Sequence, residues 1–262
     1  MLLAIDAGNT NVVFGVYDGD KQRHQWRAAT RLDRTSDEYA ALLTQWLALA
    51  DLTPGSIQSV VICSVVPRLL RDLRRLSEKV FKSRPMVVGE EGVRLGIEVR
   101  YRSDEIGADR LADAIAAHAT YKGPLIVIDF GTATTFNVVD DKGNYVGGAI
   151  APGVNLTLEA LHAATAKLPR IAVEEPKRAI ELDTVSAMNS GIYWGYIGLI
   201  EGLTARIAAE FGGATKMKVV ATGGLAPLFA HGTKVVDHVD PDLTLRGLVE
   251  IFRRNTTSAK GK

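Results

Sequence analysis

The chain has 262 residues, of which 47% are hydrophobic and 23% are charged, with a formal net charge of +1. A chain of this length and composition can bury a sizeable core as one large domain or two small ones. The near-neutral charge gives no general electrostatic reason to expect nucleic acid or an anionic membrane as a partner. The single cysteine, Cys63, lies in an apolar run, which excludes a disulfide framework and favours a reducing, cytoplasmic compartment. Asp6 interrupts the N-terminal run MLLAI and no apolar run could span a bilayer, so the sequence predicts a soluble intracellular protein.

The first half of the chain alternates short runs rich in Val and Ile with longer segments at helical spacing, which is typical of an α/β fold. Strands are predicted at residues 2–6, 11–18, 24–30, 59–66 and 92–101. Helices are predicted from Ser36, from Pro67 and over residues 107–120.

The second half repeats this alternation. Strands are predicted at residues 125–129, 134–141, 145–151, 218–222 and 235–239. The sequence DDKG at residues 140–143 predicts a hairpin turn between the second and third of these strands. Two helical regions follow the third strand, a short helix follows Gly224, and an amphipathic helix is predicted over residues 243–252. The sequence RRNTTSAKGK that ends the chain predicts a disordered tail.

The two halves also open on similar sequences, IDAGNTNVVFGVYD from Ile5 and IDFGTATTFNVVDDKG from Ile128. Both read Ile-Asp-x-Gly, then a polar Asn/Thr cluster, then an apolar strand that closes on Asp. Because the order of predicted elements repeats together with this sequence, we interpret the chain as a duplicated domain. The predicted lobes are residues 1–120 and 121–254, with a cleft between them, and residues 255–262 form a disordered basic tail.

Each copy places an Asp at the end of a strand and a Gly in the turn that follows. Such a glycine lets backbone N–H groups approach an anion, and Asp6 and Asp129 could bind hydrated Mg²⁺ or another cation beside phosphates. Nearby polar side chains would add donors, namely Asn9, Thr10, Thr132 and Thr134. The alternative reading is that each is an Asp-Gly turn chosen for its conformation, which is preferred for one loop alone. A third loop, ATGG from Ala221, favours phosphate binding for the set.

Other nucleotide and catalytic motifs are missing from the sequence. It contains no G-x-x-x-x-G-K-[ST] and no G-x-G-x-x-G after a strand, so neither a P-loop nor a dinucleotide fold is indicated. The five histidines are scattered, which argues against zinc, and there is no G-x-S-x-G.

The chain resembles the type III pantothenate kinases of the acetate kinase/sugar kinase/Hsp70/actin superfamily. The resemblance covers nearly the whole chain and rests on six motifs in order: DAGNTN (6–11), GADR (107–110), DFGTATT (129–135), GGAIAPG (147–153), LPR (168–170) and TGG (222–224). It implies an α/β protein with a duplicated ribonuclease H-like (actin-like ATPase) fold. It also implies ATP-dependent phosphorylation of pantothenate, the first step of coenzyme A synthesis, by a homodimer in a bacterial cytoplasm.

The resemblance also implies roles for individual residues. Asp109 would be the general base that deprotonates the acceptor hydroxyl. Pantothenate would contact Tyr101, Gly107, Ala108, Asp109, Arg110 and, from the other subunit, Thr184. The phosphates of ATP, with Mg²⁺, would contact Asp6, Ala7, Gly8, Asn9, Thr10, Asn11, Val12, Val13 and Thr132. Asp129 would bind a monovalent cation, K⁺ or NH₄⁺. On spacing alone, a helix cap or an ion pair with Arg110 is the preferred interpretation of Asp109, and the ring of Tyr101 could equally serve as half-buried packing.

The predicted helix around residues 186–207 carries an apolar stripe beside a stripe of glycines, Gly191, Gly195, Gly198 and Gly202. Glycine inside a helix costs about 1 kcal/mol relative to alanine, so four at helical spacing predict that something packs closely there. A second subunit and another element of the same chain both fit, and the resemblance favours the subunit.

Two other functions remain open at the level of sequence. The chain could be a non-enzymatic accessory regulator of transcription, although Asp109, Arg110 and Asp129 are intact and the charge is near neutral. It could also be another enzyme of the superfamily, although such enzymes carry additional subdomains and GADR is not their motif.

Overall fold

In the computed structural model, residues 1–102, 106–212 and 216–256 are described, and the predicted tail at residues 257–262 lies outside them. The chain forms two compact units. The first contains Met1–Ile97, the described part of Arg102–Ala116 and the chain from Leu243; the second contains Glu98–Tyr101 and Ala117–Asp242. Within the described ranges, no helix is long and apolar enough to cross a membrane.

The first unit is built on a five-stranded sheet in the order β3-β2-β1-β4-β5. Its elements in chain order are β1 (Leu2–Ala7), β2 (Asn11–Asp18), β3 (Lys21–Ala29), α1 (Ser36–Leu49), β4 (Ser59–Ser64), α2 (Pro67–Val80), β5 (Met86–Val87), α3 (Ala108–Tyr121) and α7 (Leu243–Thr256). The part of α3 from Ala117 onward belongs to the second unit. Strands β1, β2 and β3 are antiparallel neighbours, whereas β4 and β5 continue the sheet in parallel with β1.

Alternation along β1 explains why this sheet is covered on both faces. Leu3 and Ile5 pack into a core with α1 and α2, whereas Leu2 and Ala4 pack into a second core with α3 and α7. Helix α1 begins with a capping box, because Thr35 and Glu38 each accept the backbone N–H of the other.

The second unit repeats the topology of the first. Its elements are β6 (Leu125–Phe130), β7 (Ala133–Val139), β8 (Tyr145–Pro152), α4 (Val154–Ala163), α5 (Thr184–Glu210), β9 (Lys218–Gly223), α6 (Ala226–His231) and β10 (His238–Val239). Reversed, its strand order reads β8-β7-β6-β9-β10, which matches β3-β2-β1-β4-β5 position by position, including three antiparallel and then two parallel strands. The predicted duplication and the α/β fold class are therefore confirmed. Helices α4, α5 and α6 pack with one face of this sheet.

Some predicted elements differ from the structure. The strand predicted at residues 92–101 is wrong: this segment has only a single bridge, from Val99 to Tyr145, and its Gly92 and Gly96 have φ values of +87° and +69°. The strand predicted at residues 235–239 is reduced to His238–Val239. Strand β5, with two residues, was too short for the sequence pattern to reveal. The hairpin turn at Asp140–Gly143 is confirmed, with the N–H of Gly143 donating to the carbonyl of Asp140 at 3.1 Å.

Helix α7 differs from its prediction in both length and location. It continues to Thr256, and the side chain of Asn255 accepts the N–H of Arg94 and donates to its carbonyl, each at 2.8 Å, so residues 255 and 256 are ordered helix rather than tail. The helix also groups with the first unit and not with residues 121–254. Its apolar face explains this, because Leu248 packs in the core that contains Leu2 and the backbone at Gly247 closes against Ala112.

Candidate functional site

The first predicted phosphate loop is the turn between β1 and β2. The N–H of Gly8 donates to the carbonyl of Asn11 at 3.0 Å, which closes the turn directly after Asp6 and Ala7. Thr30, just beyond β3, fastens the turn from the side, donating its hydroxyl to the carbonyl of Gly8 at 2.6 Å and its N–H to that of Thr10 at 2.9 Å. The carbonyl groups of Gly8, Thr10 and Asn11 thus accept hydrogen bonds from the turn itself and from Thr30, which fixes the backbone of the turn.

The eight predicted residues of this loop differ in their access to solvent. Asn9 and Thr10 are exposed, and Asp6, Gly8, Asn11 and Val13 are partly exposed. Ala7 and Val12 are 0% exposed and belong to the first core. The side chains of these two residues therefore anchor the turn, and a ligand would meet these positions only through their backbone atoms.

The second group of predicted residues lies at the beginning of α3. The Oδ1 atom of Asp109 accepts the N–H of the next residue, Arg110, at 2.7 Å, so the carboxylate folds back over the start of the helix. A side chain at position 107 would collide with that oxygen and would lie 3.4 Å from Val65, which explains the glycine there. Burial raises the pKa of the Asp109 carboxyl, although the N–H and the guanidinium of Arg110 oppose the rise.

The surroundings of Cys63 include residues of both predicted groups, the turn after β1 and the beginning of α3. Asp6 and Cys63 are paired residues of the parallel strands β1 and β4. Burial raises the pKa of the Cys63 thiol well above its ordinary value, and the charges of Asp6, Asp109 and Asp113 raise it further. Gly107 also lies against Val65, which directly follows β4, so the structure brings Asp6 and Asp109 to the same region, at the carboxyl ends of β1 and β4. Asp113 was not singled out from the sequence; it is 1% exposed and accepts the hydroxyl of Thr244 at 2.7 Å.

Asp129 occupies the equivalent position in the second unit, at the end of β6. Its parallel partner on β9 is Thr222, and its antiparallel partner on β7 is Thr135. Two glycines enclose its carboxylate: a Cβ at Gly223 would lie 2.7 Å from one oxygen, and a Cβ at Gly131 would lie 3.3 Å from the other. A side chain at position 223 would therefore displace the Asp129 carboxylate or the backbone, whereas one at position 131 would need only a small shift of the carboxylate.

Thr132 and Thr134 follow in the loop and strand after Asp129. Thr132 is exposed, and its carbonyl lies against Gly153 at the beginning of α4, where a Cβ would collide with it. Thr134 is 0% exposed, and its Oγ1 has no hydrogen-bond partner among the described atoms. Thr184 is the first residue of α5 and is exposed, following the N-cap Asp183, which accepts the N–H of Ser186 at 3.0 Å.

Tyr101 lies six residues before the GADR motif and belongs to the second unit. The residue is 39% exposed, and its ring meets the ring of Tyr145 edge-on, with centroids 6.3 Å apart. Asn137 and Tyr145 were not identified from the sequence. The signal was present, because Thr135 and Asn137 alternate with Phe136 and Val138 along β7 and so place polar side chains on one buried face.

Mg²⁺ usually binds proteins through one or two carboxylates together with substrate phosphates and water. Asp6 and Asp129, each a carboxylate beside a glycine turn, are donors of that kind. Among residues 1–102, 106–212 and 216–256, no three His, Cys, Asp or Glu residues are grouped so that they could hold a metal ion by themselves.

Solved structures with a similar fold define the class of this protein. An activator of the 2-hydroxyisocaproyl-CoA dehydratase from Clostridium difficile, with bound ADPNP, superposes with a TM-score of 0.56 at 13% identity over 100% of this chain and 97% of its own. A protein from Campylobacter jejuni described as a Baf family transcriptional activator gives 0.62 at 19% identity over 97% of this chain and 99% of its own. At these identities the likeness concerns the fold alone. Together with the duplicated sheet, it defines a two-lobed α/β protein with the ribonuclease H-like fold of actin-like ATPases and sugar kinases.

Sequence comparison identifies the family within that class. Residues 2–206 match the family model for type III pantothenate kinase. A protein of that name from Paramagnetospirillum magneticum is 60% identical over 262 residues, which is 100% of both chains. A second, from Rhodospirillum rubrum, is 60% identical over 256 residues, covering 97% of this chain and 99% of its own. The chain belongs to the type III pantothenate kinase family.

Proposed function

We propose that the protein transfers the γ-phosphoryl group of ATP to pantothenate, giving 4′-phosphopantothenate in the first step of coenzyme A biosynthesis. The observation that carries this proposal is the 60% identity, over 100% of both chains, to a relative named as a type III pantothenate kinase. The residues described above supply the chemical groups that the reaction needs.

Asp109 is the general base in this account. Phosphoryl transfer requires the acceptor oxygen to be in line with the phosphorus and to lose its proton as the new P–O bond forms. The raised pKa makes the Asp109 carboxylate a stronger base than an ordinary aspartate, and its bond to the N–H of Arg110 fixes its orientation. The proton of the 4′-hydroxyl passes to Asp109, and the leaving ADP keeps the electrons of the broken bond.

The remaining residues hold the two substrates. Residues Gly107–Arg110 and Tyr101 contact pantothenate, and the planar guanidinium of Arg110 suits its carboxylate. Residues 6–13 and Thr132 form the phosphate loops for ATP with Mg²⁺, with Ala7 and Val12 acting through the turn that they anchor. Asp129 binds K⁺ or NH₄⁺, and the enclosure of its carboxylate by Gly131 and Gly223 supports a fixed ion site.

Helix α5 supports a homodimer. The apolar stripe of α5 packs inside the unit, but Gly191, Gly195 and Gly198 are exposed, and a Cβ on any of them would meet nothing within 4 Å in the described chain. Whatever these glycines accommodate is therefore not an element of the described chain. A second copy packed there would bring the exposed Thr184 to the pantothenate of its partner. For a coenzyme A enzyme with a buried, unpaired cysteine, the cytoplasm is the compartment we propose.

The Asp109→Asn substitution tests the proposed role of the base. It keeps the size of the side chain and removes the basic oxygen, so turnover should fall by about 10²–10⁴-fold while ATP binding, followed by calorimetry, is retained. Asp141→Asn, at an exposed position in the β7–β8 turn, is the matched control and should leave both unchanged. Loss of ATP binding in Asp109→Asn would instead assign Asp109 a structural role.

The regulator of transcription is the second candidate function. Its support is the fold likeness to the Campylobacter jejuni protein, which at 19% identity says nothing of activity. The full-length identity to pantothenate kinases favours the enzyme.

A further inference from the structure

The segment that leads to Tyr101 is fixed to the beginning of β8. The N–H of Tyr145 donates to the carbonyl of Glu98 at 2.9 Å, and the N–H of Arg100 donates to the carbonyl of Tyr145 at 2.8 Å. These two bonds flank the bridge between Val99 and Tyr145. The backbone of Tyr145 therefore fixes the position of the chain immediately before Tyr101.

The side chain of Tyr145 continues this contact. It is fully buried, and its ring meets that of Tyr101 at an interplanar angle of 80°, an arrangement that aromatic pairs favour. Its hydroxyl donates to Oδ1 of Asn137 at 3.0 Å. A rotation of the Tyr145 ring would remove this hydrogen bond and the support beneath Tyr101 together.

Asn137 connects this pair to the end of the sheet at which Asp129 lies. It is 0% exposed, and its Nδ2 donates to Oγ1 of Thr135 at 3.1 Å. Thr135 is the antiparallel partner of Asp129. A row of hydrogen-bonded polar side chains thus runs from Tyr145 on β8 along β7, on a face of the sheet whose other residues include Val127 and Val139.

Packing alone does not require these polar groups. A phenylalanine would fill nearly the same space as Tyr145, and a valine or leucine would suit the position of Asn137 in an apolar interior. Buried hydroxyl and amide groups destabilise a protein unless they are paired, so a fully paired row defines one orientation for each member. The row therefore specifies the position of the Tyr145 ring, and through it that of Tyr101.

We propose that Asn137 and Tyr145 are positioning residues that hold Tyr101 in the orientation in which it contacts pantothenate. The affinity of the protein for pantothenate therefore depends on these two residues, whereas its affinity for ATP does not. This proposal rests on the proposed function, since it is there that Tyr101 contacts pantothenate.

Tyr145→Phe tests the proposal, because it removes one hydroxyl and keeps the ring beneath Tyr101. The KM for pantothenate, and its Kd from calorimetry, should rise about three- to tenfold, the equivalent of one hydrogen bond, while the KM for ATP stays within about twofold of its original value. Asn137→Val removes the acceptor from the other side and should give the same selective change. Tyr39→Phe, at a buried tyrosine of the first core, is the control and should alter neither substrate.

A double-mutant cycle then asks whether the effect passes through Tyr101. In a Tyr101→Ala background, Tyr145→Phe should raise the KM for pantothenate no further. If the two substitutions raise the KM for pantothenate additively, or if the affinities for ATP and pantothenate fall equally, the proposal is overturned and Tyr145 is an ordinary core residue. If the unmodified protein phosphorylates pantothenate and Tyr145→Phe is indistinguishable from it, the positioning role alone fails. If the unmodified protein neither binds nor phosphorylates pantothenate, the proposed function fails as well.

Discussion

Replacing Gly223 by alanine tests how closely the backbone confines the Asp129 carboxylate in the second unit. Gly223 ends β9 with a φ of +90°, a conformation that residues with side chains rarely adopt. The added Cβ would lie 2.6 Å from the carbonyl oxygen of Phe130 and 2.7 Å from Oδ1 of Asp129. Carbon and oxygen atoms do not approach this closely without bonding, so the backbone of β9 or the Asp129 carboxylate must move.

The size of the effect follows from these two conflicts. A residue with a side chain held in a sparsely populated backbone region costs about 1–3 kcal/mol. At about 2–4 °C of melting temperature for each kcal/mol in a chain of this size, the protein should lose several degrees of thermal stability. Displacement of the Asp129 carboxylate should also weaken the proposed cation site, which would raise the K⁺ concentration needed for half-maximal activity.

The assay compares Gly223→Ala with Gly55→Ala, at an exposed glycine outside the predicted site. A Cβ at Gly55 would meet only Oγ1 of Thr53, at an ordinary contact distance of 3.6 Å, and its φ is not among the positive values, so this variant should resemble the unmodified protein. Melting temperatures and activity over a K⁺ titration should separate the two substitutions. If both behave alike, Asp129 is not confined by the neighbouring backbone, and the reasoning from its enclosure is refuted.

Three further predictions concern other parts of the molecule. Gly195→Leu, on the exposed glycine face of α5, should give monomers in sedimentation velocity and lose activity because Thr184 no longer reaches a partner; an active monomer would contradict this. Because burial raises the pKa of Asp109, kcat/KM should fall with decreasing pH at a value above the ordinary aspartate range, and a pH–rate profile without that limb would exclude Asp109 as the base. Burial tends to raise the pKa of Asp140, but hydrogen bonds from Asn144 and Lys142 and the charge of Arg100 outweigh it and hold the pKa below its ordinary value. This depressed pKa stabilises the fold above the unfolded pKa of about 3.9, so Asp140→Asn should cost about 1–3 kcal/mol at neutral pH, and the difference in denaturant unfolding should vanish as pH falls through the folded pKa.

The duplicated fold could be predicted because its signals are local and occur twice. In each half an apolar strand ends in Asp-x-Gly and is followed by the same order of elements. The two sheets can therefore be predicted from local patterns, without information about distant contacts. The wrong strand at residues 92–101 shows the limit of such patterns. Its alternation of apolar and polar residues resembles a strand, but positive φ values at Gly92 and Gly96 break the extended chain.

Long-range contacts explain what the sequence could not reveal. Helix α7 is recognisable as amphipathic, but its packing beside Leu2 and Ala112 depends on residues more than a hundred positions away. Likewise, the grouping of Asp6, Asp109 and Asp113 around Cys63 exists only after β1, β4 and α3 have assembled. The roles of Asp109 and Asp129 were inferred from family resemblance, whereas the Asn137–Tyr145 hydrogen bond required the structure.

The most direct test of the account is ³¹P NMR of the purified protein with ATP, Mg²⁺ and pantothenate, first with K⁺ and then with Na⁺ as the only monovalent cation. We expect a new phosphomonoester signal that depends on K⁺, which would support both the reaction and the cation site at Asp129. A folded, dimeric protein that forms no phosphomonoester in either salt would contradict the kinase assignment and favour the regulator instead.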